Sequence, residues 1–375
     1  MPQPFDRIVI KSLDIPNRFV RSATWEGLAA ADGSVTPELA GRMAELARGE
    51  VGLIISGHAF VRREGQAVLR QLGACADALE PGLADMAAAV HAAGGRIALQ
   101  LAHAGMFASA ALSGLPPVGP SDLSAEGLPA CRPLDAAGIA ALVAAFGRAA
   151  ALARRAGYDA VQLHAAHGYL LNQFLSPAWN RRTDAYGGTP DKRARLLLEV
   201  AAAVRAAVGP DCPVLVKLNT EDFVPGGLTP AEAVAAAALL ERAGVDAVEL
   251  SGGCRPAGEA RMPARKGFLK GPEQEVYYRE AARLYKERVG LPLILVGGVR
   301  SIEVAEELVG SGLADCVALC RPLICEPDLI RRWRAGDRRR ALCVSDNACY
   351  APGYAGEGVR CVTFAKKRGE SAASR

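Results

Sequence analysis

The chain has 375 residues and a formal net charge of +4, with 50% hydrophobic and 22% charged residues. This balance supports a large folded core and is not typical of a disordered chain. The positive charge is small and spread along the chain, and no run of five basic residues occurs. We therefore expect a small-molecule partner and exclude nucleic acid and anionic membrane surfaces as partners.

The N-terminus lacks the charged and then apolar pattern of a signal peptide. No window reaches 18 consecutive apolar residues, which predicts that the chain does not span a membrane. The ten cysteines, most of them inside apolar strand-like runs, indicate reduced thiols rather than a disulfide framework. The predicted location is therefore the cytoplasm.

Short apolar segments followed by helical periodicity recur along the chain. The predicted strands are Phe19–Ala23, Gly52–Ser56, Ile97–Leu101, Ala160–His164, Val214–Leu218, Ala247–Leu250, Leu293–Val296 and Cys316–Leu319. The predicted helices are Leu83–Ala93, Ala137–Arg155, Lys192–Val208, Pro230–Ala243, Gln274–Val289 and Ser301–Ser311. Because eight such units occur and no G-x-G-x-x-G follows the first strand, the pattern predicts an α/β fold, a (β/α)8 TIM barrel, rather than a doubly wound sheet.

Two stretches interrupt the repeat. The segment Phe107–Asp135 is rich in Pro, Gly and Ser and too long for an ordinary loop, which predicts a lid insertion after strand 3 that covers the barrel mouth and sets substrate size. The chain beyond the eighth strand predicts a short C-terminal extension, frayed from Lys366 on. We therefore divide the chain into a barrel, residues 1–335, and an extension, residues 336–375.

Active sites of (β/α)8 barrels lie at the carboxyl ends of the strands, and most of the polar candidates fall there. The set comprises Ser22, Ala23, Thr24, Trp25, Gly57, His58, Gln100, His103, His164, His167, Tyr169, Lys217, Ser251, Gly252, Gly253, Gly297, Gly298, Cys320 and Arg321. Every histidine except His91 belongs to it, which favours a catalytic rim over a random scatter.

The most informative segment runs from His164 to Tyr169. Two imidazoles and a phenol that leave the end of a strand can hydrogen-bond a substrate carbonyl and deliver a proton. A zinc site is the alternative, because histidine pairs bind zinc, but no third ligand lies nearby in the sequence. We therefore expect no metal at this position.

Two Gly–Gly pairs at strand ends, Gly252-Gly253 and Gly297-Gly298, allow the backbone to approach a ligand closely. Arg321 can add a bidentate fork to phosphate oxygens. The loops after strands seven and eight of such barrels often bind phosphate, which favours a phosphate site over turns that merely need glycine.

Two further polar residues lie inside apolar strands. Lys217 needs a partner there, and it could stabilise negative charge on a cofactor ring. Gln100 offers a donor and an acceptor that suit the edge of a heterocycle. The alternative for Lys217 is a side chain that extends its ammonium group to solvent. The alternative for Gln100 is a core residue whose amide makes all its hydrogen bonds within the protein.

The run HAAHGYLLNQFLSPAWNRRTDAYGG, which begins at His164, resembles the signature of the Old Yellow Enzyme family of FMN-dependent ene-reductases. The blocks IPNRFVRSAT, GLIISGHAFV, IALQLAHAG, LVGGVRS and ADCVALCRPLICEPDL are similar to other blocks of that family, in the same order. The resemblance covers about residues 5–335 and implies an NADH:flavin oxidoreductase of the 2,4-dienoyl-CoA reductase/trimethylamine dehydrogenase-like branch, without the FAD/NAD domain. It also implies FMN across the barrel mouth.

The resemblance assigns roles to single residues. His164 and His167 match the pair that holds a substrate carbonyl or nitro oxygen, and Tyr169 matches the proton donor. The other matched positions are expected to bind FMN: Ala23, Thr24 and Trp25 beside the isoalloxazine ring, His58 beside the same ring, Gln100 at the pyrimidine edge, Lys217 near N1 and O2, and Ser251, Gly252, Gly297, Gly298, Cys320 and Arg321 in the phosphate and ribityl region. Relatives usually carry smaller residues at Trp25 and His58.

The implied reaction has two halves. NADH or NADPH gives hydride to FMN N5 and leaves, and an α,β-unsaturated carbonyl compound then takes that hydride at Cβ. The substrate oxygen is held by His164 and His167, and Tyr169 supplies the proton at Cα. Polarisation of this oxygen lowers the barrier because charge accumulates there in the transition state.

The extension contains Cys343, Asp346, Cys349 and Cys361, a pattern that resembles the [4Fe–4S] tail of that branch with Asp346 in place of a cysteine. A cluster requires four thiolates, and a carboxylate is a harder ligand, so this motif predicts a lost cluster with vestigial cysteines. The alternative is an Asp-ligated or three-iron cluster fed by a separate protein.

Two other functions stay open at this stage. An amine or betaine demethylating dehydrogenase would run the flavin in the oxidative direction and cage a quaternary ammonium with aromatic faces, to which Trp25, Tyr169, Tyr350 and Tyr354 could contribute. The second open function is that of a non-catalytic flavin-binding or sensor protein. Assembly into a homo-oligomer, the identity of the substrate and the choice between NADH and NADPH are also open.

Overall fold

Eight parallel strands close into a barrel in the computed structural model, which describes residues 1–364. Each strand pairs with the next, and the eighth pairs with the first through Val317 and Phe19. This arrangement confirms the predicted TIM barrel. The strands are β1 Phe19–Arg21, β2 Leu53–Ile55, β3 Ile97–Ala102, β4 Ala160–Ala165, β5 Val214–Asn219, β6 Ala247–Ser251, β7 Leu293–Val296 and β8 Cys316–Leu319.

Helices lie between and after the strands, and the longer ones form the outer layer of the barrel. They are α1 Pro37–Arg48, α2 Glu80–Ala92, α3 Ala110–Ser113, α4 Ala136–Arg155, α5 Leu170–Leu175, α6 Pro190–Val208, α7 Pro230–Arg242, α8 Arg279–Lys286, α9 Ile302–Gly310, α10 Arg321–Cys325, α11 Leu329–Arg334 and α12 Tyr350–Tyr354. Local signals explain several boundaries. For example, Thr229 and Glu232 form a capping box at the start of α7, and Pro230 takes the first turn.

Two helices differ from the sequence prediction. Helix α1 was not predicted, although Thr36 caps it and Pro37 occupies its first turn. The predicted helix Gln274–Val289 is wrong in length, because only α8 forms. Val276 has a left-handed φ of 62°, and the Tyr277 N–H bonds to the Gly297 carbonyl, so the helix cannot extend further toward the N-terminus.

Helix α4 is long and apolar enough to cross a membrane by length and composition alone. In the fold, however, one side of it is buried in the outer helical layer through Ile139, Leu142, Phe146 and Ala149. The apolar character of this helix is therefore explained by its packing on the barrel.

The amino end of the barrel is closed by a hairpin of two short strands, Ile8–Ile10 and Leu13–Ile15. Ile10, Leu13 and Ile15 are buried together with inward-facing residues of the barrel strands. Ligand access is therefore left to the opposite, carboxyl end, where the predicted site residues lie.

An aspartate immediately precedes each of β4, β6 and β8. Its carboxylate accepts a hydrogen bond from the first N–H of the preceding strand, β3, β5 or β7. Asp159 accepts the Ile97 N–H over 2.8 Å, Asp246 accepts the Val214 N–H over 2.8 Å, and Asp315 accepts the Leu293 N–H over 2.7 Å. Each aspartate thereby fixes the register of two neighbouring strands at the amino end.

The insertion after β3 contains α3 and the two-residue strands Val118–Gly119 and Arg132–Pro133. Its Met106 and Cys131 are buried with Trp179, from the loop after β4, and with Cys254, which follows β6. The insertion thus packs at the carboxyl end, and its function as a lid stays a prediction.

The C-terminal extension lies against the barrel. The Ala341 N–H bonds to the Arg300 carbonyl, and the Tyr354 ring packs on Trp25 with centroids 4.9 Å apart. Cys349 and Val359 are buried beside Ile324 of α10. The fraying predicted from Lys366 on concerns residues outside the described range.

Candidate active site

Aromatic rings converge at the carboxyl end of β4. The Tyr169 ring centroid lies 4.8 Å from that of His164 and 5.6 Å from that of His58. The His164 and His167 rings lie 5.0 Å apart at an interplanar angle of 85°. Tyr169 Oη is 3.4 Å from His58 Nε2. The structure therefore brings the three predicted catalytic residues together and places His58, expected only as an FMN neighbour, beside the phenol.

Burial sets the protonation states of this cluster. Desolvation lowers the pKa of His58 to about 4 and holds the pKa values of His164 and His167 well below the ordinary value, with further lowering by the nearby Lys217. Desolvation also raises the pKa of Tyr169. At neutral pH the three imidazoles are therefore neutral and the phenol keeps its proton.

The chain after β4 orients the two histidines differently. The Ala166 N–H donates to His164 Nδ1 over 3.3 Å, so the His164 ring proton is on Nε2. His167 has a left-handed φ of 64°, and its N–H donates to Asn219 Oδ1 over 3.0 Å. His167 Nε2 lies 2.7 Å from Ser251 Oγ. Ser251, predicted in the phosphate and ribityl region, thus contacts the catalytic pair.

A buried ion pair lies next to the histidines. Lys217 on β5 is in register with His164 on β4 and with Glu249 on β6. Lys217 Nζ is 2.7 Å from Glu249 Oε1 and 2.6 Å from Ser22 Oγ, and the Lys217 and Glu249 side chains are 3% and 0% exposed. Lys217 therefore has the partner that its burial requires. Sequence reasoning missed Glu249, although a carboxylate within an apolar strand was a signal.

Gln100 is joined to this ion pair by a chain of hydrogen bonds. Gln100 Nε2 donates to Gln162 Oε1 over 2.7 Å, and Gln162 Nε2 donates to Glu249 Oε2 over 2.8 Å. All of these side chains are buried. Gln100, predicted at the pyrimidine edge of FMN, and Lys217, predicted near N1, therefore belong to one hydrogen-bond network. Gln162 was also missed by the sequence analysis.

The predicted glycines lie where tyrosine rings approach the strand ends. A Cβ atom on Gly252 would lie 2.7 Å from the Tyr278 ring, and one on Gly298 would lie 2.6 Å from the Tyr277 ring. Gly297 has a φ of 147°, and a Cβ atom on it would lie 3.0 Å from the Tyr278 ring. These contacts show that close packing against the tyrosine rings is enough to require glycine at these positions. The sequence analysis gave such a structural requirement as the alternative to a phosphate-binding function.

An arginine that the sequence analysis did not identify lies above these rings. The Arg265 guanidinium is 4.4 Å from the centroid of Tyr277 and 5.2 Å from that of Tyr278. Arg265 Nε and Nη2 are buried and have no hydrogen-bond partner within the described part of the chain. Its loop carries no periodic pattern from which this position could be predicted. A partly buried guanidinium with two buried, unpaired N–H groups beside glycine-rich strand ends is suited to an anion.

Arg321, the predicted phosphate ligand, anchors two segments. Its Nη1 donates to Asn347 Oδ1 over 2.7 Å and to the Arg265 carbonyl over 2.8 Å. Arg321 thereby fixes the loop that carries Arg265. Nearby, Thr24 Oγ1 lies 3.1 Å from Cys320 Sγ and joins the ends of β1 and β8.

Trp25 and Ala23 follow β1. The Trp25 indole N–H donates to the Leu69 carbonyl over 3.0 Å, and its ring packs against Tyr354. Trp25 and His58 also line the same small pocket. Ala23 is partly buried against the barrel interior. Contact of these residues with an isoalloxazine ring stays a prediction.

Two histidines lie apart from the cluster. His103, at the end of β3, accepts the Gly105 N–H at Nδ1 over 3.0 Å, and burial lowers its pKa to about 3. His91 Nε2 lies 2.8 Å from Asp159 at the amino end of the barrel. Three of the four histidines predicted at the rim therefore form the site.

The profile of the NADH:flavin oxidoreductase / NADH oxidase family matches residues 3–339. The chain belongs to this family. An NADH oxidase of Thermoanaerobacter brockii is 36% identical over 351 residues, which cover 92% of this chain and 53% of that protein. A 4,4'-dithiodibutanoate disulfide reductase of Rhodococcus erythropolis is 33% identical over 387 residues, with 96% and 95% covered. This chain thus spans about half the length of the NADH oxidase.

Solved structures agree with this assignment. A 2-naphthoyl-CoA reductase complex superposes with a TM-score of 0.87 at 26% identity over 96% of this chain and 56% of that chain. An old yellow enzyme homologue from Zymomonas mobilis gives a TM-score of 0.78 at 28% identity, with 94% and 98% covered. The resemblance to the Old Yellow Enzyme family is confirmed, whereas the narrower dienoyl-CoA reductase-like branch stays a prediction.

Membership of the NADH:flavin oxidoreductase family implies FMN as the cofactor and NAD(P)H as the reductant. The residues present fit this cofactor. Lys217 and Gln100 supply a buried cation and an amide for a heterocycle edge, and Nε and Nη2 of Arg265, which have no partner within residues 1–364, provide donors for a phosphate. Among residues 1–364, no group of three or more His, Cys, Asp or Glu side chains is arranged to hold a metal ion.

Proposed function

We propose that the protein is an FMN-dependent oxidoreductase that uses NADH or NADPH to reduce activated C=C bonds of α,β-unsaturated carbonyl compounds. The observation that carries this proposal is the partly buried contact of Tyr169 with His58 and His164, in which desolvation favours the protonated phenol and the neutral imidazoles. The likeness to the old yellow enzyme homologue supports it. A cytoplasmic location, where NAD(P)H is available, belongs to this proposal.

FMN, when bound, supplies the hydride that it accepts from NAD(P)H. The protein holds the substrate oxygen. His164 donates from Nε2, because its Nδ1 already accepts the Ala166 N–H. His167 Nε2 lies 2.7 Å from Ser251 Oγ, and in the tautomer in which the Ser251 hydroxyl donates to Nε2, the His167 proton is on Nδ1 and provides a second donor. Two neutral donors stabilise the charge that develops on the oxygen and lower the barrier.

Tyr169 delivers the proton to Cα. Its raised pKa keeps the phenol protonated at neutral pH, so that the phenol has the proton that it donates to Cα. A general acid of this kind contributes about 10²- to 10⁴-fold to the rate. NAD(P)⁺ leaves before the substrate enters, so the two half-reactions form a ping-pong sequence.

The amine or betaine dehydrogenase is the less favoured function. Lys217 lowers the pKa values of both His164 and His167, which means that its positive potential reaches the substrate site. The same potential opposes a cationic amine and stabilises an anionic oxygen. The site electrostatics therefore favour reduction of a carbonyl-activated bond.

The test is to measure the two half-reactions separately by stopped-flow absorbance in wild type and Tyr169→Phe. We expect flavin reduction by NADPH to be nearly unchanged and reoxidation by cyclohexenone to slow by about 10²- to 10⁴-fold. Tyr158→Phe is the matched control, because the Tyr158 hydroxyl is buried without a partner in the described chain.

Two results would contradict the proposal. If both half-reactions of Tyr169→Phe slow equally, Tyr169 is a packing residue. If the reduced enzyme is reoxidised faster by 4,4'-dithiodibutanoate than by cyclohexenone, the substrate is a disulfide rather than a C=C bond.

A further inference from the structure

A buried carboxylate and two buried amides lie behind the turn that carries the catalytic pair. Asn219 ends β5, Asp222 follows it in the next loop, and Asn172 belongs to α5. All three residues are 0% exposed. We call them the Asn–Asp network. Because it is fully buried, the network does not contact a ligand and acts only through its neighbours.

The turn after β4 has an unusual backbone. His167 and Gly168 have left-handed φ values of 64° and 80°. Glycine adopts this conformation freely, whereas histidine keeps it only where surrounding contacts hold it there. Asn219 Oδ1 accepts the His167 N–H over 3.0 Å, and Asn172 Oδ1 accepts the Gly168 N–H over 2.7 Å. The two amides therefore hold two consecutive N–H groups of the turn.

Asp222 sets the direction of both amides. Its Oδ1 accepts hydrogen bonds from Asn219 Nδ2 over 2.8 Å and from Asn172 Nδ2 over 3.1 Å. Its Oδ2 accepts the Leu228 N–H over 2.8 Å. A carboxylate accepts hydrogen bonds and donates none. Both amides therefore turn their NH2 groups toward Asp222 and their oxygens toward the turn.

The network also connects the turn to β6. Asn219 Nδ2 donates to the Gly253 carbonyl over 3.2 Å, and Cys254 Sγ donates to the Asp222 carbonyl over 3.3 Å. Strand β6 ends in the serine that lies 2.7 Å from His167 Nε2. The backbone and the ring of His167 are thus fixed against the same strand.

We infer that Asp222 is a positioning residue for the reaction proposed above, and this role rests on that function. Asp222 acts through the two asparagines, which hold the turn in its left-handed conformation. That conformation places His167 beside the substrate oxygen and Tyr169 beside Cα, so that both contacts form at once. Loss of the network should therefore slow transfer to the substrate and leave FMN binding intact. A purely structural role would lower stability without separating the two.

The experiment compares two oxidants of the same reduced enzyme. FMN-bound protein is reduced with dithionite and mixed in a stopped-flow spectrometer with cyclohexenone or with O2, which needs no hydrogen bond from the histidines. Asp222→Leu keeps the branched shape of the side chain and removes its acceptors. In this variant we expect reoxidation by cyclohexenone to slow by about 10²-fold. Reoxidation by O2 should be nearly unchanged.

A binding measurement probes the same geometry without turnover. 4-Chlorophenol, whose oxygen takes the place of the substrate oxygen, is titrated against the flavin absorbance. Its Kd should rise about tenfold in Asp222→Leu, which is the change expected for the loss of one hydrogen bond. The Kd of FMN should stay at the wild-type value.

Two further variants serve as controls. In Asp222→Asn the amide oxygen can replace Oδ1 and accept from both asparagines, so this variant should recover most of the lost rate. Asp246→Leu removes a carboxylate at the amino end, where it accepts the Val214 N–H, and should leave both reoxidation rates unchanged. If Asp222→Leu does not fold, Asn219→Ala decides, because it removes the acceptor of the His167 N–H and should show the same selective loss.

Either of two results would overturn this role of Asp222. The first is slowing by the same factor with both oxidants in Asp222→Leu, which would mean a general loosening of the fold. The second is a cyclohexenone rate and a 4-chlorophenol Kd that both equal the wild-type values. Failure of the proposed function is a separate result, because wild type itself would then not be reoxidised by cyclohexenone. The 4-chlorophenol titration would still decide whether Asp222 positions the site.

Discussion

At the amino end of the barrel, Asp246 and Asp315 pair with cations near the surface and Asp159 bonds to the His91 imidazole, whereas at the carboxyl end Glu249 pairs with Lys217 out of contact with water. The Lys286 and Asp315 side chains are 27% and 32% exposed, against 3% and 0% for Lys217 and Glu249. Water screens the first kind of pair but not the second.

The difference shows that the same ion-pair chemistry serves two purposes, depending on burial. At the amino end the carboxylates mainly accept hydrogen bonds from backbone N–H groups and thereby fix the register of the strands. Their charged side-chain partners contribute less to stability. At the carboxyl end the field of Lys217 reaches His164 and His167 and helps to keep them neutral. Substitutions at the two ends should therefore differ in size and in kind.

The largest effect is expected from Glu249→Ala. This change leaves Lys217 buried without its carboxylate, which typically costs about 3–5 kcal/mol of unfolding free energy. The measurement is urea denaturation with excess FMN. The double variant Lys217→Met/Glu249→Leu is the control and should recover more than half of the loss, because it removes both buried charges. A loss below about 1 kcal/mol in Glu249→Ala would show that water reaches the pair.

Acid should lower the free energy of unfolding because it protonates the desolvated imidazole of His58 at the carboxyl end. The folded-state pKa of His58 is about 4, below the unfolded value near 6.5, so the unfolded chain binds the proton more readily. The stability that this provides is complete above pH 6.5 and is lost as the pH falls toward 4. His58 alone should cost about 2 kcal/mol between pH 7 and pH 5.

Urea denaturation at pH 7 and pH 5 tests this effect. His58→Asn should show a smaller loss between the two pH values than wild type. An unchanged pH dependence in His58→Asn would mean that His58 is solvated in the folded protein.

The barrel itself could be predicted because its strands are short, apolar and regularly spaced. The amino-terminal boundary of helix α8 could not, because the left-handed Val276 and the hydrogen bond from the Tyr277 N–H to the Gly297 carbonyl depend on the residue that follows β7. Helix α1 was missed although Thr36 and Pro37 are ordinary start signals.

For the site, residues that share one segment could be predicted and residues that meet across strands could not. His164, His167 and Tyr169 lie within six residues, so their proximity follows from the sequence alone. The Lys217–Glu249 pair depends on the register between β5 and β6. The contact of His58 with Tyr169 depends on the barrel closure that brings the ends of β2 and β4 together.

The smallest effect is expected at the amino end, from Asp159→Asn. The amide keeps an oxygen that can accept the Ile97 N–H and loses only the charge opposite the exposed His91. Exposed pairs of this kind contribute about 0–1 kcal/mol, so unfolding free energy should fall by less than about 1 kcal/mol. Asp159→Ala removes the acceptor as well and should cost about 1–3 kcal/mol. Neither variant should alter cyclohexenone turnover, and a loss of turnover in Asp159→Asn would show that the two ends of the barrel are coupled.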